Sequence, residues 1–267
     1  MYDLSSLDSA LAGTLFAGKL HFSPSTASTN SDALHAARAA APHGSVFLAD
    51  EQTAGRGRGD HAWLSAAGEG LYVSILLRPQ FPASRLPLLP LAAGLAAAEA
   101  VRCVTGLEPG RSLNIDLRWP NDLLIGPRKT GGILVESQSE GPAVAYAVVG
   151  IGVNVHQRSF PADLATPATS LDLESGQRIS RQTLLVALLK SLDREASALA
   201  DPKTAASILA RVELASTWIR GRTVLVHGPQ YCQGVTAGLD ENGFLRVETA
   251  SGLVTVQTGG LRAAKND

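Results

Sequence analysis

The feature that most limits the possible folds is a run of four strand-like segments between residues 115 and 155. These segments read IDLRW, LLI, GGILVES and AVAYAVVGIGVNV, and turns such as GPRK separate them. Short apolar runs bounded by glycine and proline are typical of β-strands. With the earlier segments GSVFLAD and LYVSILL, they predict a mixed β-sheet that packs against helices, which is an α+β fold.

Several stretches outside these segments are typical of helices. Residues 4–16 are expected to form a short helix. Thr29 and Asn30 stand directly ahead of an alanine-rich run, and both residue types are preferred N-caps, so a second helix is expected to begin there. Residues 86–105 predict a long helix against the sheet, and residues 180–215 predict helical structure broken near a proline.

The character of the chain changes near residue 216. From there, short β-rich runs alternate with glycine turns, and the segment DENG between two such runs is a hairpin signal. About 50 residues of this kind predict a small closed β-barrel of the SH3-like type. We therefore predict two domains, residues 1–215 and residues 216–267.

Composition narrows the class of protein. The formal net charge of −1 argues against general binding to polyanions such as nucleic acid. The two cysteines, Cys103 and Cys232, are far apart in sequence and fit no metal or redox spacing. We therefore expect buried, reduced thiols in a cytoplasmic protein.

One apolar stretch, LPLLPLAAGLAAAEAV, bears on a membrane location. It contains two prolines, a glycine and Glu99, so it predicts a helix buried in the protein core and not a membrane span. The N-terminus has no basic start before an apolar run and so does not resemble a secretory signal peptide. No membrane partner is expected.

The segment TAGRGRGDHAW, residues 53–63, is the most unusual stretch of the sequence. It matches neither the dinucleotide fingerprint nor the phosphate loop that ends in GK[ST]. Glycines let backbone N–H groups approach an anion, and arginine carries a fixed charge that fits phosphate or carboxylate. Arg56 and Arg58 are expected to repel one another until an anion binds. A plain glycine turn remains the alternative.

Three further motifs contain polar residues at strand ends. The segment RWPND contains Asn121 and Asp122, which are also typical of a turn. In RKTGGILVES, Lys129 precedes two glycines that would let a ligand approach, although most such lysines are solvated surface charges. Asn154 interrupts an apolar strand, where it needs a hydrogen-bond partner, either a ligand or a turn.

These motifs together resemble the biotin protein ligases. The segments STN, EQTAGRGRG followed by a tryptophan, RWPND, RKTGGILVES and GIGVNV occur in the order and approximate spacing of that family, over residues 28 to 155. The resemblance implies a catalytic sheet of the class II aminoacyl-tRNA synthetase/biotin ligase-like type, followed by an SH3-like barrel. It also implies a reaction of biotin with ATP to biotinyl-5′-AMP, and transfer of biotin to a lysine of a carrier domain of acetyl-CoA carboxylase or a related carboxylase.

The resemblance further implies roles for single residues at the positions that match the family's motifs. Stabilisation of charge during catalysis is implied for Lys129, Arg56 and Arg58. Contacts to biotin are implied for Ser28, Thr29, Asn30, Gln52, Gly55, Arg56, Lys129 and Gly132. Contacts to the nucleotide are implied for Arg58, Trp63, Asn121 and Asn154. ATP is expected with Mg²⁺, for which Asp122 is the implied metal contact.

The sequence departs from the family in the loop, where many bacterial members are more basic. Here those positions read Gly59, Asp60, His61 and Ala62, so the loop is less basic. The departure concerns how tightly the adenylate is retained and not the reaction itself.

Three alternatives remain: a lipoate or octanoate ligase or transferase, a biotin-sensing DNA-binding repressor, and a catalytically silent nucleotide-binding module. Only about 20 residues precede the first core strand, fewer than a helix-turn-helix domain needs, so no specific DNA partner is expected.

Overall fold

The computed structural model describes residues 2–59, 61–106 and 113–264. Its centre is a seven-stranded sheet in the order β1-β2-β3-β7-β6-β5-β4. β1 pairs in parallel with β2, and the other neighbouring pairs are antiparallel. The strands are β1 (Leu20–Thr26), β2 (Ser45–Gln52), β3 (Gly70–Leu77), β4 (Asp116–Arg118), β5 (Asp122–Ile125), β6 (Arg128–Glu140) and β7 (Ala143–Asn154). The predicted mixed sheet is therefore confirmed.

Helices cover both faces of this sheet. They are α1 (Leu4–Ala10), α2 (Thr29–Arg38), α3 (Leu89–Thr105), α4 (Leu171–Ser175), α5 (Arg181–Ala200) and α6 (Pro202–Leu214). Side chains alternate along a strand, so Ile75 and Val149 join the main core with α3 and α5, whereas Leu76 and Val148 pack against α2. The sheet has two packed faces, which explains why all of β3 is buried.

The long apolar helix belongs to the core. With the short 3₁₀ helix that leads into it, the segment Ala83–Thr105 is long and apolar enough to cross a membrane by length and composition. In the fold, 78% of its most apolar stretch is buried inside the protein. The prediction of a buried helix at this place is confirmed.

The predicted burial of the two thiols is wrong. Cys103 is exposed and Cys232 is half-buried, and both are free cysteines. Cys103 lies one turn after Glu99 on the narrow stripe of α3 that faces solvent, because the rest of that helix packs into the core. Residue type alone therefore misled the prediction, since the helix face decides exposure.

The C-terminal part forms a separate sheet. β8 (Arg220–His227), β9 (Cys232–Leu239), β10 (Leu245–Thr249), β11 (Gly252–Val256) and β12 (Gly260–Ala263) are antiparallel in the order β11-β10-β9-β8-β12. The predicted DENG turn joins β9 to β10, with Gly243 at a φ of +84°. Trp119 contacts this turn through a hydrogen bond from its indole nitrogen to the Gly243 carbonyl, at 3.0 Å. The two sheets thus touch.

Three local predictions need correction. The first helix, α1, ends at Ala10 and is shorter than predicted, and the short helix α4 was not predicted. The N-cap of α2 is Ser28, with φ −163° and ψ 130°, while Thr29 and Asn30 already belong to the first turn. Their side chains bond to the sheet and not to the helix end, which explains the shift of one residue.

Candidate active site

Ten of the thirteen site residues predicted from the sequence line one cavity on the sheet. The space is about 470 Å³, open to solvent, and lies where the start of α2 meets β6 and β7. The predicted residues along its wall are Ser28, Thr29, Asn30, Gln52, Arg56, Arg58, Trp63, Asn121, Lys129 and Gly132. The other three, Gly55, Asp122 and Asn154, are not part of this wall.

Glycines form the floor of the cavity. Gly132 on β6 lies directly across from Gly152 on β7, and both line the cavity. A Cβ atom on Gly152 would lie 2.5 Å from Nε1 of Trp63, and one on Gly132 would lie 3.5 Å from Nζ of Lys129. The missing side chains therefore make room for the Trp63 indole ring and the Lys129 ammonium.

The glycine-arginine loop returns to the sheet as a narrow hairpin. Isolated bridges join Gln52 to Ser65 and Arg56 to Ala62. Gly55 packs so tightly that a Cβ atom would lie 2.4 Å from the Trp63 carbonyl oxygen. Gly55 is thus required by the backbone of the loop, although it does not line the cavity. Asp60 lies outside the described residues.

The two loop arginines each have a partner on another element. Arg56 binds both carboxylate oxygens of Glu136 on β6, at 3.1 and 2.8 Å. Arg58 donates hydrogen bonds to the Thr258 hydroxyl and to the Gly259 carbonyl, next to β12. The expected repulsion between unpartnered arginines is therefore wrong, because the tertiary structure separates and pairs them.

Lys129 is oriented by a buried ion-pair network. Its Nζ lies 2.5 Å from Asp122 Oδ1, and Arg118 NH2 lies 2.6 Å from Asp122 Oδ2. Burial acts to raise the pKa of Asp122, but the positive charges of Lys129 and Arg118 outweigh it and hold the pKa below its usual value. Asp122 is therefore a carboxylate that fixes the lysine ammonium at the cavity wall.

Trp63 lies between the lysine and the glycine floor. Lys129 Nζ is 5.4 Å from the centroid of the indole ring, within the range of a cation–π contact. The indole Nε1 is buried and has no hydrogen-bond partner in the part of the chain that the structure describes. A buried donor without an acceptor costs free energy, and here the indole nitrogen packs against the backbone of Gly152 in the cavity floor.

The opposite wall of the cavity is polar and uncharged. Ser28 is the N-cap of α2, yet its hydroxyl makes no capping bond to that helix. Gln52 Oε1 accepts a hydrogen bond from the backbone N–H of Thr29 at 2.9 Å and lies 3.1 Å from the Thr29 hydroxyl. The cavity thus offers both neutral hydrogen-bonding groups and cations, which suits a ligand with a polar ring and an anionic tail.

Two predicted residues are occupied by protein contacts. Asn154 donates from Nδ2 to the Thr169 carbonyl at 3.0 Å and lies outside the cavity wall. Asn121 lines the cavity but donates from Nδ2 to the Ile133 carbonyl at 2.7 Å. The alternative considered for Asn154 was a turn cap, but its partner is a backbone carbonyl 15 residues away. A nucleotide contact by either residue stays a prediction.

Sequence reasoning missed two polar residues behind the wall. Glu136 follows the apolar run in RKTGGILVES, and Ser74 interrupts the apolar strand β3. Ser74 is fully buried and bonds to both Thr29 and Asn30. The available signal was a polar residue inside an apolar strand, the same argument that singles out Asn154.

The close approach of Asn30 to β7 leads to a stability prediction. A Cβ atom on Gly150 would lie 2.0 Å from Asn30 Oδ1, so Gly150→Ala is expected to lower the free energy of unfolding by about 1–3 kcal/mol in urea titrations. The matched control is Gly94→Ala in α3, where the nearest atom is 3.5 Å away. That variant should gain about 0.5–1 kcal/mol, and equal stability of the two variants would contradict the placement of Asn30.

Comparison with known proteins gives consistent matches in sequence. Residues 22–154 match the biotin/lipoate A/B protein ligase family. The biotin–[acetyl-CoA-carboxylase] ligase of Paracoccus denitrificans is 34% identical over 235 residues, which cover 85% of this chain and 93% of that protein. The bifunctional ligase/repressor BirA of Bacillus spizizenii is 36% identical over 229 residues, which cover 85% of this chain and 68% of that protein.

Solved structures show the same architecture. The biotin protein ligase of Aquifex aeolicus in complex with biotin and ATP superposes with a TM-score of 0.78 at 30% identity, covering 92% of this chain and all of that one. The Leishmania major biotin protein ligase in complex with biotinyl-5-AMP gives a TM-score of 0.63 at 25% identity, covering 92% and 99%.

Proposed function

The chain belongs to the biotin/lipoate A/B protein ligase family and is an ATP-dependent biotin ligase, and from this premise we propose its full reaction and the residues that perform it. Biotin and ATP give biotinyl-5′-AMP, and the biotinyl group then passes to one lysine of a biotin carrier domain of acetyl-CoA carboxylase or a related carboxylase. The observation that supports this assignment most directly is the single cavity that brings together ten predicted residues from separate motifs.

In the first step, a carboxylate oxygen of biotin attacks the α-phosphorus of ATP and pyrophosphate leaves. Two anions must come together, so positive groups at the junction lower the barrier. Lys129, Arg56 and Arg58 line the same cavity and supply that charge. In the second step, the carrier lysine amine attacks the acyl carbon, loses a proton, and AMP leaves.

The uncharged polar side chains of the cavity wall are the proposed contacts of the biotin ring. Ser28, Thr29 and Gln52 provide hydroxyl and amide groups for a cyclic urea, which has two N–H donors and one carbonyl acceptor. We propose that Trp63 packs against the adenine and that Asn121 and Asn154 lie near the nucleotide. The position of Trp63 and Asn121 on the cavity wall supports this placement.

The residues around Asp122 do not fit a protein-built magnesium site. Both carboxylate oxygens of Asp122 already bind cations, Lys129 and Arg118. Within residues 2–59, 61–106 and 113–264, no group of three or more His, Cys, Asp or Glu side chains lies close enough to hold a metal ion. Any Mg²⁺ would arrive bound to the ATP phosphates and water, which is its usual preference, and no step is assigned to Asp122 as a metal ligand.

A direct assay tests the proposed function. The protein is incubated with ATP, Mg²⁺ and biotin, and mass spectrometry should detect biotinyl-AMP and, after addition of a carrier domain, one added biotinyl group. A parallel incubation with lipoate tests the alternative substrate of the same family. Adenylate from lipoate and none from biotin would reject the proposal.

We further propose that this chain acts as a ligase and not as a DNA-binding repressor, in a cytoplasmic setting. The net charge of −1 supports this, since specific operator binding depends on neutralising phosphates. A gel-shift titration at physiological salt, with and without biotin and ATP, should show no sequence-specific complex. A complex that tightens with biotin would establish a second activity.

The five-stranded sheet is proposed to be a second domain of the SH3-like type, residues 216–267, that assists the site. Arg58 bonds to Thr258 and Gly259, which links the glycine-arginine loop to this sheet. The Trp119 bond to Gly243 is a second contact between the two parts. These contacts support a role in holding the loop near the cavity.

A further inference from the structure

A chain of hydrogen-bonded side chains runs behind the polar wall of the cavity. Asn30 Nδ2 donates to Glu136 Oε2 at 2.8 Å, and Ser74 Oγ donates to Asn30 Oδ1 at 2.6 Å. Ser74 Oγ lies 2.7 Å from Thr29 Oγ1, which in turn lies 3.1 Å from Gln52 Oε1. Ser74 and Glu136 do not line the cavity, whereas Thr29, Asn30 and Gln52 do.

The orientation of the Asn30 amide is fixed by its surroundings. The Glu136 carboxylate, itself bound by Arg56, only accepts hydrogen bonds, and the Leu134 carbonyl at 3.4 Å also only accepts. The amide nitrogen must therefore face Glu136, which leaves the amide oxygen facing Ser74. Ser74 has a single hydroxyl hydrogen and must donate it to that oxygen.

This order of donors and acceptors determines the direction in which the Thr29 hydroxyl hydrogen points. Because Ser74 has used its only hydrogen, it offers Thr29 lone pairs, and the Thr29 hydroxyl donates to Ser74 at 2.7 Å in preference to its other acceptor, Gln52 Oε1 at 3.1 Å. Gln52 is oriented separately, since its Nε2 donates to Ser65 Oγ at 2.8 Å, and its Oε1 accepts the backbone N–H of Thr29. Thr29 Oγ1 and Gln52 Oε1 therefore have lone pairs for the cavity but no hydrogen to offer there.

We propose that Ser74 and Glu136 are positioning residues that hold one part of this wall, the pair Thr29 Oγ1 and Gln52 Oε1, as hydrogen-bond acceptors toward the cavity. Such a wall selects a ring with N–H donors and rejects a ring with an acceptor in the same place. The inference rests on the proposed function, in which the ring is the cyclic urea of biotin. Neither residue touches the ligand, and both act through the hydroxyl hydrogen of Thr29.

The test compares biotin with two analogues in which each ureido N–H in turn is replaced by a ring oxygen, which turns the cyclic urea into a cyclic carbamate. Calorimetric titration of the wild-type protein should show that at least one analogue binds about 100-fold more weakly than biotin, because the wall then meets an acceptor. In Ser74→Ala, the Thr29 hydroxyl can turn its hydrogen toward the ligand oxygen. In this variant, the ratio of the affinity for biotin to the affinity for that weaker analogue should therefore fall below about 10-fold.

Glu136→Gln provides a second variant. The side-chain amide that this substitution introduces can donate to Asn30 Oδ1 and reverse every hydrogen in the chain. The affinity ratio of biotin to the analogue should fall in this variant as well, but by a smaller factor than in Ser74→Ala, since the Leu134 carbonyl still accepts from Asn30. The control is Ser45→Ala, an equally buried serine of the neighbouring strand whose hydroxyl bonds to the Pro42 carbonyl. It should keep the wild-type ratio.

The affinity ratio separates positioning from a structural role. A merely structural loss would weaken biotin and the analogues alike and leave the ratio unchanged, which would overturn the inference. Equal binding of biotin and both analogues to the wild-type protein would also overturn it. Failure of the wild-type protein to bind biotin would instead reject the proposed function, so the two failures are distinguishable.

Discussion

Lys129→Ala is expected to slow formation of biotinyl-AMP by about 10²–10³-fold, the usual effect of removing one preorganised donor from a reacting centre. Asp122 holds the ammonium at 2.5 Å, so the charge is oriented before substrates bind and costs little reorganisation. Single-turnover quench experiments with saturating ATP and biotin, read by mass spectrometry, measure the step.

The fold should survive this substitution. Lys129 is partly exposed, and Asp122 keeps its second partner, Arg118, so no buried charge is left unpaired. Lys190→Ala, an exposed lysine on α5, is the matched control and should keep the wild-type rate. A wild-type adenylation rate in Lys129→Ala would show that charge at this position does not act in the reaction.

Asp122→Ala is expected to lower the free energy of unfolding by about 3–5 kcal/mol and to slow adenylation, by no more than Lys129→Ala does. Removing one partner of a buried ion pair leaves the other charge uncompensated, and here two cations, Lys129 and Arg118, lose the same carboxylate. Urea titration at neutral pH measures the loss. The control is Glu99→Ala, whose ion pair with Arg194 is exposed and worth at most about 1 kcal/mol.

The same carboxylate predicts a pH dependence. Because the pKa of Asp122 is held below its usual value in the folded protein, its contribution to stability is present above the ordinary aspartate pKa of about 3.9. That contribution is lost as the pH falls through the lower, folded-state pKa. Asp122→Asn should therefore flatten this part of the acid unfolding curve, and an unchanged curve would contradict the ion-pair assignment.

Contacts within the protein explain how a site of several cations exists without substrate. Arg56, Arg58 and Lys129 are each bound by a different element: β6, the turn before β12, and β5. An arriving triphosphate competes for these donors with partners that already orient them. The protein therefore trades ion pairs of its own for contacts to the substrate, which lowers net affinity but keeps the geometry ready for reaction.

Much of this protein followed from local sequence alone. Apolar residues at every second position, with glycines between the segments, predicted the strands, because burial on a pleated sheet repeats every second residue. The motifs around Arg56, Lys129 and Gly132 predicted the cavity, since glycine allows close approach wherever the chain is placed. The break between α5 and α6 also followed locally, because Pro202 cannot continue the preceding helix.

The partners of these residues were decided only by the tertiary structure. Ser74 meets Asn30 across 44 residues of sequence, Glu136 meets Asn30 across 106, and Arg58 meets Thr258 across 200. Such pairs depend on strand register, in which a slip of one residue moves each side chain to the other face. Local propensity contains no information on that register, so the sequence motifs indicated most of the groups that line the cavity, and packing determined which of them hold each other in place.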